Sequence, residues 1–350
     1  MMDRIKERLF RDARWFVLAM AASAFLIVVS GMLVGSLREP TVTAGPATGA
    51  QTQTENPSQA FDPERQGRVF AESGGLTVSL EKTEPCEDCV GGTAFTFAVT
   101  DKRSSTARSF TIRNDTAQVD EVVIVNPSRA LVMGSLTGTT RGVNVVDLER
   151  REVIDFFYSH FPSVSKDRRF VAYVKFTPRV QSGAPQGHVY LVYDLTASPT
   201  QNRLAAGQQG AEPLDDHVNV GIPVYPLENV GRAMSDAGPN EEAPPHVLAS
   251  EGFSWLPGNT LAFVDRWKKA NYLVMVDLSA GVRPARRTVR PLDTAAIVNR
   301  GACTESIDAP ENLISVTEIS VPAEESGVVR LRFAPRGPCL RQTTLDMPVR

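Results

Sequence analysis

The sequence predicts an all-β domain that is exported and held to a membrane by one helix. Three observations carry this. An uncharged apolar run of 21 residues, Trp15 to Gly35, lies near the N-terminus. After Arg68, short runs rich in Val, Ile, Phe, Tyr and Thr alternate with turn residues, and no long stretch carries a 3.6-residue apolar period. Within that region one layout of strand, tight turn and strand recurs at intervals of roughly 40–45 residues.

The apolar run is long enough to cross a bilayer: a helix rises about 1.5 Å per residue and the hydrocarbon core is about 30 Å thick. Arg4, Lys6, Arg8, Arg11 and Arg14 precede it and Arg38 follows it. The excess of positive charge on the N-terminal side places residues 1–14 in the cytoplasm as a basic tail and everything after the helix outside. The membrane helix is expected over 15–37, with Trp15 at the interface. A cleaved signal peptide is the alternative, with Val42-Thr43-Ala44 as a small-residue cleavage site, but its apolar core would be shorter, about 7–15 residues. Residues 38–66 are rich in Pro, Thr, Gly, Ala and Gln and nearly lack large apolar side chains. They cannot bury enough surface to offset ordering entropy, so a disordered tether is expected there. Residues 67–350 then form the exported domain, periplasmic or extracellular. Net charge is −3 and no Lys/Arg block stands out, which speaks against a nucleic-acid partner.

Strands are expected at Leu76–Leu80, Thr93–Val99, Ser109–Ile112, Glu121–Val125, Leu131–Ser135 and Gly142–Leu148. Three segments share the repeated layout: Glu121–Leu136, Phe161–Phe176 and Gly252–Trp267. Each sets a turn tetrapeptide (Asn-Pro-Ser-Arg, Ser-Lys-Asp-Arg or Leu-Pro-Gly-Asn) before an apolar strand. Each is followed by a further strand ending in Asp-Leu: Gly142–Leu148, His188–Leu195 and Asn271–Leu278. On these residues the chain resembles the TolB-type and WD40-like β-propeller families, over roughly 109–290, with Phe253–Val264 the best match to their strand and Ser-Pro-Asp-Gly-type turn. The resemblance implies a β-propeller of about six blades, five to seven allowed; a pair of β-sandwiches is the other architecture. Pro199–Ser250 would be a degenerate blade with one strand, Val218–Tyr225, between long polar insertions.

Cys86, Cys89, Cys303 and Cys339 are the disulfide candidates, in a compartment where disulfides persist. Cys86-Glu-Asp-Cys89 has the spacing of a redox motif, but its neighbours are strands and its two acids disfavour a thiolate. Three pairings are open. Because one pair is near the start of the domain and the other near its end, ring closure would favour a bond from Cys86 or Cys89 to Cys303 or Cys339. Asp147, Asp194 and Asp277 recur at one position of the repeat, which favours a structural role at strand ends.

His160, His188, His217 and His246 are scattered along the chain, and Asp215-Asp216-His217 lies in a polar insertion. No nucleophile elbow, zinc-protease helix motif, P-loop or dinucleotide glycine pattern is present, so no catalytic residue, cofactor or metal is assigned. The insertions at 204–217 and 229–246, with Asp215, Asp216, His217 and His246, are the candidate contacts for an envelope protein partner. The expected function is a membrane-tethered binding or scaffold module. An exported hydrolase or lyase on the same scaffold is the alternative, and a structural envelope protein a second one.

Overall fold

The structure is a computed structural model and describes residues 67–89, 92–104, 106–113, 116–136, 140–176, 187–203, 220–226, 246–283, 285–303, 310–323 and 327–349. The expected membrane helix, the tether, and Asp215, Asp216 and His217 lie outside these residues. The described part is all-β and antiparallel, with one four-residue helix, α1, at Thr294–Ile297. Asp293 caps α1, its carboxylate accepting from the N–H groups of Ala295 and Ala296.

The strands follow one another as five sheets, the second and third of them joined into one seven-stranded ladder by a shared strand. The first is β1 (Val69–Ser73), β2 (Leu76–Pro85), β3 (Thr93–Asp101) and β4 (Thr106–Ile112), in that order. β5 (Gln118–Asn126), β6 (Arg129–Ser135), β7 (Arg141–Asp147) and the first part of β8 (Glu152–Val164) make the second. β8 then changes partner: it pairs with β7 up to Ser159 and with β9 (Phe170–Phe176) from His160. Phe161, with φ of 53°, sits at that switch. The third sheet continues through β10 (His188–Asp194) to β11 (Ile222–Tyr225). In the fourth, β12 (Val247–Leu248) and β13 (Ser254–Leu256) both pair with β14 (Thr260–Trp267), followed by β15 (Ala270–Asp277) and β16 (Arg286–Pro291). β17 (Val316–Ser320), β18 (Val328–Phe333) and β19 (Thr344–Pro348) form the fifth.

Alternation along the inner strands explains why they read as continuous apolar runs. Successive side chains point to opposite faces, and here both faces are covered. In β6, Ala130 and Val132 face the first sheet while Leu131 and Met133 face the third. In β10, Val189, Leu191 and Tyr193 face the second sheet; Tyr190 and Val192 face the fourth. In β14, Leu261 and Phe263 pack toward the third sheet, Ala262 and Val264 toward the fifth. Each such Leu, Val or Phe contributes about 1.5–3 kcal/mol by leaving water. The end sheets differ. Val329, Leu331 and Phe333 of β18 face inward, while on the other face Arg330 pairs with Asp346 at 2.7 Å and Arg332 with Glu318 at 3.5 Å. In the first sheet Phe95, Phe97 and Val99 face inward, and Thr96 meets Thr111 on the opposite face at 3.0 Å.

The repeat seen in the sequence is a repeat of hydrogen bonds. Leu148, Leu195 and Leu278 are buried and donate their N–H groups to the carbonyls of Ser128, Arg169 and Asn259, each in the turn before β6, β9 or β14. The Asp before each leucine accepts from the N–H two residues on: Glu149 to Asp147, Thr196 to Asp194 and Ser279 to Asp277. The strand-end role expected for these three aspartates is therefore what they perform. Arginines tie neighbouring sheets: Arg168 donates to Ile124 O at 2.7 Å, Arg129 to Ala197 O at 3.0 Å, and Arg266 to Ile314 O at 3.0 Å.

Two expectations are corrected. Residues 199–250 supply no sheet of their own among the described residues: β11 closes the third sheet and β12 edges the fourth. Of the strand expected over 218–225, the described residues give Ile222–Tyr225, and Val220 makes an isolated bridge to Arg203. The crosslink between the start and end of the domain does not form. Cys86 pairs with Cys89, Cα atoms 5.3 Å apart, in the β2–β3 hairpin, and Cys303 pairs with Cys339, Cα atoms 4.6 Å apart. The physical reason lies in the packing: among the described residues the first sheet packs on the second and the fifth on the fourth, and no apolar cluster joins first to fifth.

Candidate functional site

Three of the four histidines, scattered in sequence, meet at one end of the junction between the third and fourth sheets. Antiparallel pairing brings the end of β9, the start of β10 and the end of β11 to the same side: His188 is opposite Phe176, and Tyr190 opposite Tyr225. His160 lies against Phe176 from β8, with ring centres 3.7 Å apart, and His188 covers Phe176 from the other neighbour at 4.8 Å. The row continues through Tyr190, Tyr225 and His246, and His246 stacks on Trp267 at 5.1 Å. Lys268 caps it, its ammonium 4.1 Å over the Trp267 ring. The connection 177–186 leaves after Phe176 and returns before His188, and 227–245 runs between Pro226 and His246. The row is thus built on the stems of two long connections.

A buried carboxylate lies within it. Asp265, entirely buried, accepts from the Tyr190 hydroxyl at 2.6 Å through Oδ1 and pairs with His246 Nδ1 at 2.6 Å through Oδ2. Burial together with the Asp265 charge pushes the Tyr190 phenol well above its usual range. His188 Nδ1 accepts from the Leu248 N–H at 2.8 Å, so its proton is on Nε2. Burial lowers the His188 pKa to about 4; the charge of Asp265 opposes this, and His160 and His246 add to it. On the opposite face of β9, Lys175 is brought down to about 8 by burial, and among the described residues its ammonium has no hydrogen-bond partner.

A second buried carboxylate, Asp155, lies at the junction of the second and third sheets. It accepts from Tyr193 and Arg203, each at 3.0 Å. β10 therefore presents one tyrosine to a buried aspartate on each of its faces, with the Arg203 guanidinium as the second partner in one case and the His246 imidazole in the other.

Several solved structures are similar to this chain at low TM-scores and low identity. An uncharacterized protein of Listeria monocytogenes EGD-e matches with a TM-score of 0.31 and 10% identity, over 82% of this chain and 68% of that one. The β-propeller domain of the trilobed protease of Pyrococcus furiosus matches at 0.24 and 10%, over 79% and 81%. The Dos1 propeller matches at 0.29 and 8%, over 77% and 55%. No protein-family model and no curated protein matches the chain in sequence.

Of the residues singled out from the sequence, His246 takes part in this site, while the four cysteines form two bonds remote from it. His160, His188, Tyr190, Asp265 and Trp267 were not assigned there. The signal for Tyr190 and His188 is the period of two along β10, which sets both on the face opposite Val189 and Leu191. Nothing in the sequence relates them to Asp265. Chemically, Asp265 can orient the His246 imidazole, leaving Nε2 as a base. Among the described residues no Ser, Thr or Cys side chain is hydrogen-bonded to His188 or His246, and no group of three or more His, Cys, Asp or Glu is placed to hold a metal ion.

Proposed function

We propose that this protein is a membrane-tethered, extracytoplasmic binding module that meets a protein partner through the aromatic and histidine row between its third and fourth sheets. The carrying observation is the row itself, from His160 through Phe176, His188, Tyr225 and His246 to Trp267, at the stems of two long connections. Aromatic side chains with a polar edge are the groups that dominate protein contacts. We read the five sheets as successive blades of a propeller-type repeat. The sharing of β8 between two sheets and the apolar packing on both faces of the inner sheets support that reading. The basic tail, the apolar run and the tether of the first 66 residues support the membrane placement. Photo-crosslinking in intact cells from a benzoyl-phenylalanine at position 267, against the same group at exposed Val69, tests it. One protein captured from 267 and not from 69 supports the module; equal capture from both, or none, removes the row as the contact surface.

A second reading, an exported hydrolase, rests on the Asp265–His246 pair, the arrangement that orients a general base. Turnover of ester, amide or glycoside test substrates by the full chain, lost in His246→Gln with folding unchanged, would select it.

A further inference from the structure

β12 is two residues long and is held from both sides. Toward the fourth sheet, Val247 and Leu248 pair with Arg266 and Asp265, and the neighbouring Ala249 donates its N–H to Val264 O at 2.8 Å. Toward the third sheet, among the described residues, the hydrogen bonds run through His188. His188 donates its backbone N–H to His246 O at 2.8 Å and accepts the Leu248 N–H on Nδ1 at 2.8 Å. The second bond needs the lone pair of a neutral imidazole. A proton on Nδ1 would set two donors against each other and leave the Leu248 N–H unpaired.

We propose that His188 is a pH-operated latch: its neutral imidazole holds β12 to the third sheet through the Leu248 N–H, and protonation at Nδ1 breaks that bond and loosens β12, leaving the backbone bond to His246 O as its remaining link through His188. The charged and titratable groups acting on His188 are Asp265 from β14, His160 from β8 and His246 beside β12, with the edge of the Tyr190 ring of β10 also against it. Asp265 favours the charged ring but is already shared by Tyr190 and His246. Arg266, next along β14, is turned to Ile314 O of the segment before β17. Burial is the largest influence and holds the transition in acid, at a pKa of about 4.

The test is amide exchange of the full chain, corrected for intrinsic pH dependence, from about pH 7 to about pH 3.5. His188→Asn retains an acceptor near the Nδ1 position and removes the titration. In the wild type, protection at residues 246–249 should fall by roughly tenfold or more as pH drops, while β14 and β15 stay protected. The Asn variant should show no such fall. Unchanged wild-type protection of β12, an equal fall in the variant, or simultaneous loss in β14 and β15 would each overturn the latch. If His188→Asn does not fold, the wild-type contrast between β12 and β15 still decides.

Discussion

Tyr190 and Asp265 meet across the junction of the third and fourth sheets, the tyrosine hydroxyl 2.6 Å from a carboxylate that no solvent reaches. A buried charge is tolerated only when its hydrogen bonds are filled. Tyr190→Phe removes one donor and should destabilise the domain by about 1–3 kcal/mol. Asp265→Ala strands both Tyr190 and His246 and should lower stability by about 3–5 kcal/mol. Chemical unfolding of the three proteins checks this; an Asp265→Ala domain as stable as wild type would refute the account of the network.

The repeated Asp-Leu strand ends make a pH prediction. Asp277 has its pKa lowered, first by the side-chain and backbone hydrogen bonds from Ser279, with Arg286 adding to the effect. Its folded pKa lies below the unfolded value. Its contribution to stability is therefore present above the unfolded carboxylate pKa of about 3.9 and is lost as pH falls below it. Asp277→Ala should cost about 1 kcal/mol at neutral pH, and the difference from wild type should shrink in acid. Asp277→Asn, which keeps the acceptor, should cost less at neutral pH. A difference that grows toward low pH would contradict this.

Gly134 is where a side chain cannot enter. A Cβ there would collide with the backbone carbonyl of Gln118 on the adjacent strand and with the Thr116 methyl group. Backbone in a paired strand cannot yield cheaply, so Gly134→Ala should destabilise by about 3 kcal/mol or more. Among the described residues, nothing lies within 4 Å of the Gly301 Cβ position, and Gly301→Ala should change stability by about 0.5 kcal/mol or less. Thermal melts of the pair make the comparison.

The two disulfides should differ in weight because they close loops of different length. The Cys303–Cys339 bond spans 36 residues and Cys86–Cys89 spans 3. Chain entropy assigns the longer loop about 4 kcal/mol and the shorter under about 2 kcal/mol. Non-reducing peptide mapping should recover these two bonds, and the Cys303→Ala/Cys339→Ala protein should melt lower than Cys86→Ala/Cys89→Ala. A bond joining either early cysteine to either late one would contradict the packing of the end sheets.

Local chemistry alone determined the strand class, the strand positions from Leu76 to Leu148 and the recurring turn before β6, β9 and β14. Alternation, turn residues and the Asp-Leu endings all act within a few positions of the chain. The role of Asp147, Asp194 and Asp277 was legible for the same reason, since each bonds a backbone group two residues away. Only the tertiary structure decided the partners of the sheets, the cysteine pairing and the site. A period of two tells which residues share a face but not which sheet that face will meet. His160, His188 and Asp265 come from three different strands and His246 from the residue before a fourth, with no common spacing to announce them. Asp265 reads as one more residue of a strand until β10 is laid beside it, and then the Tyr190 hydroxyl and the His246 ring give its charge the partners that burial demands.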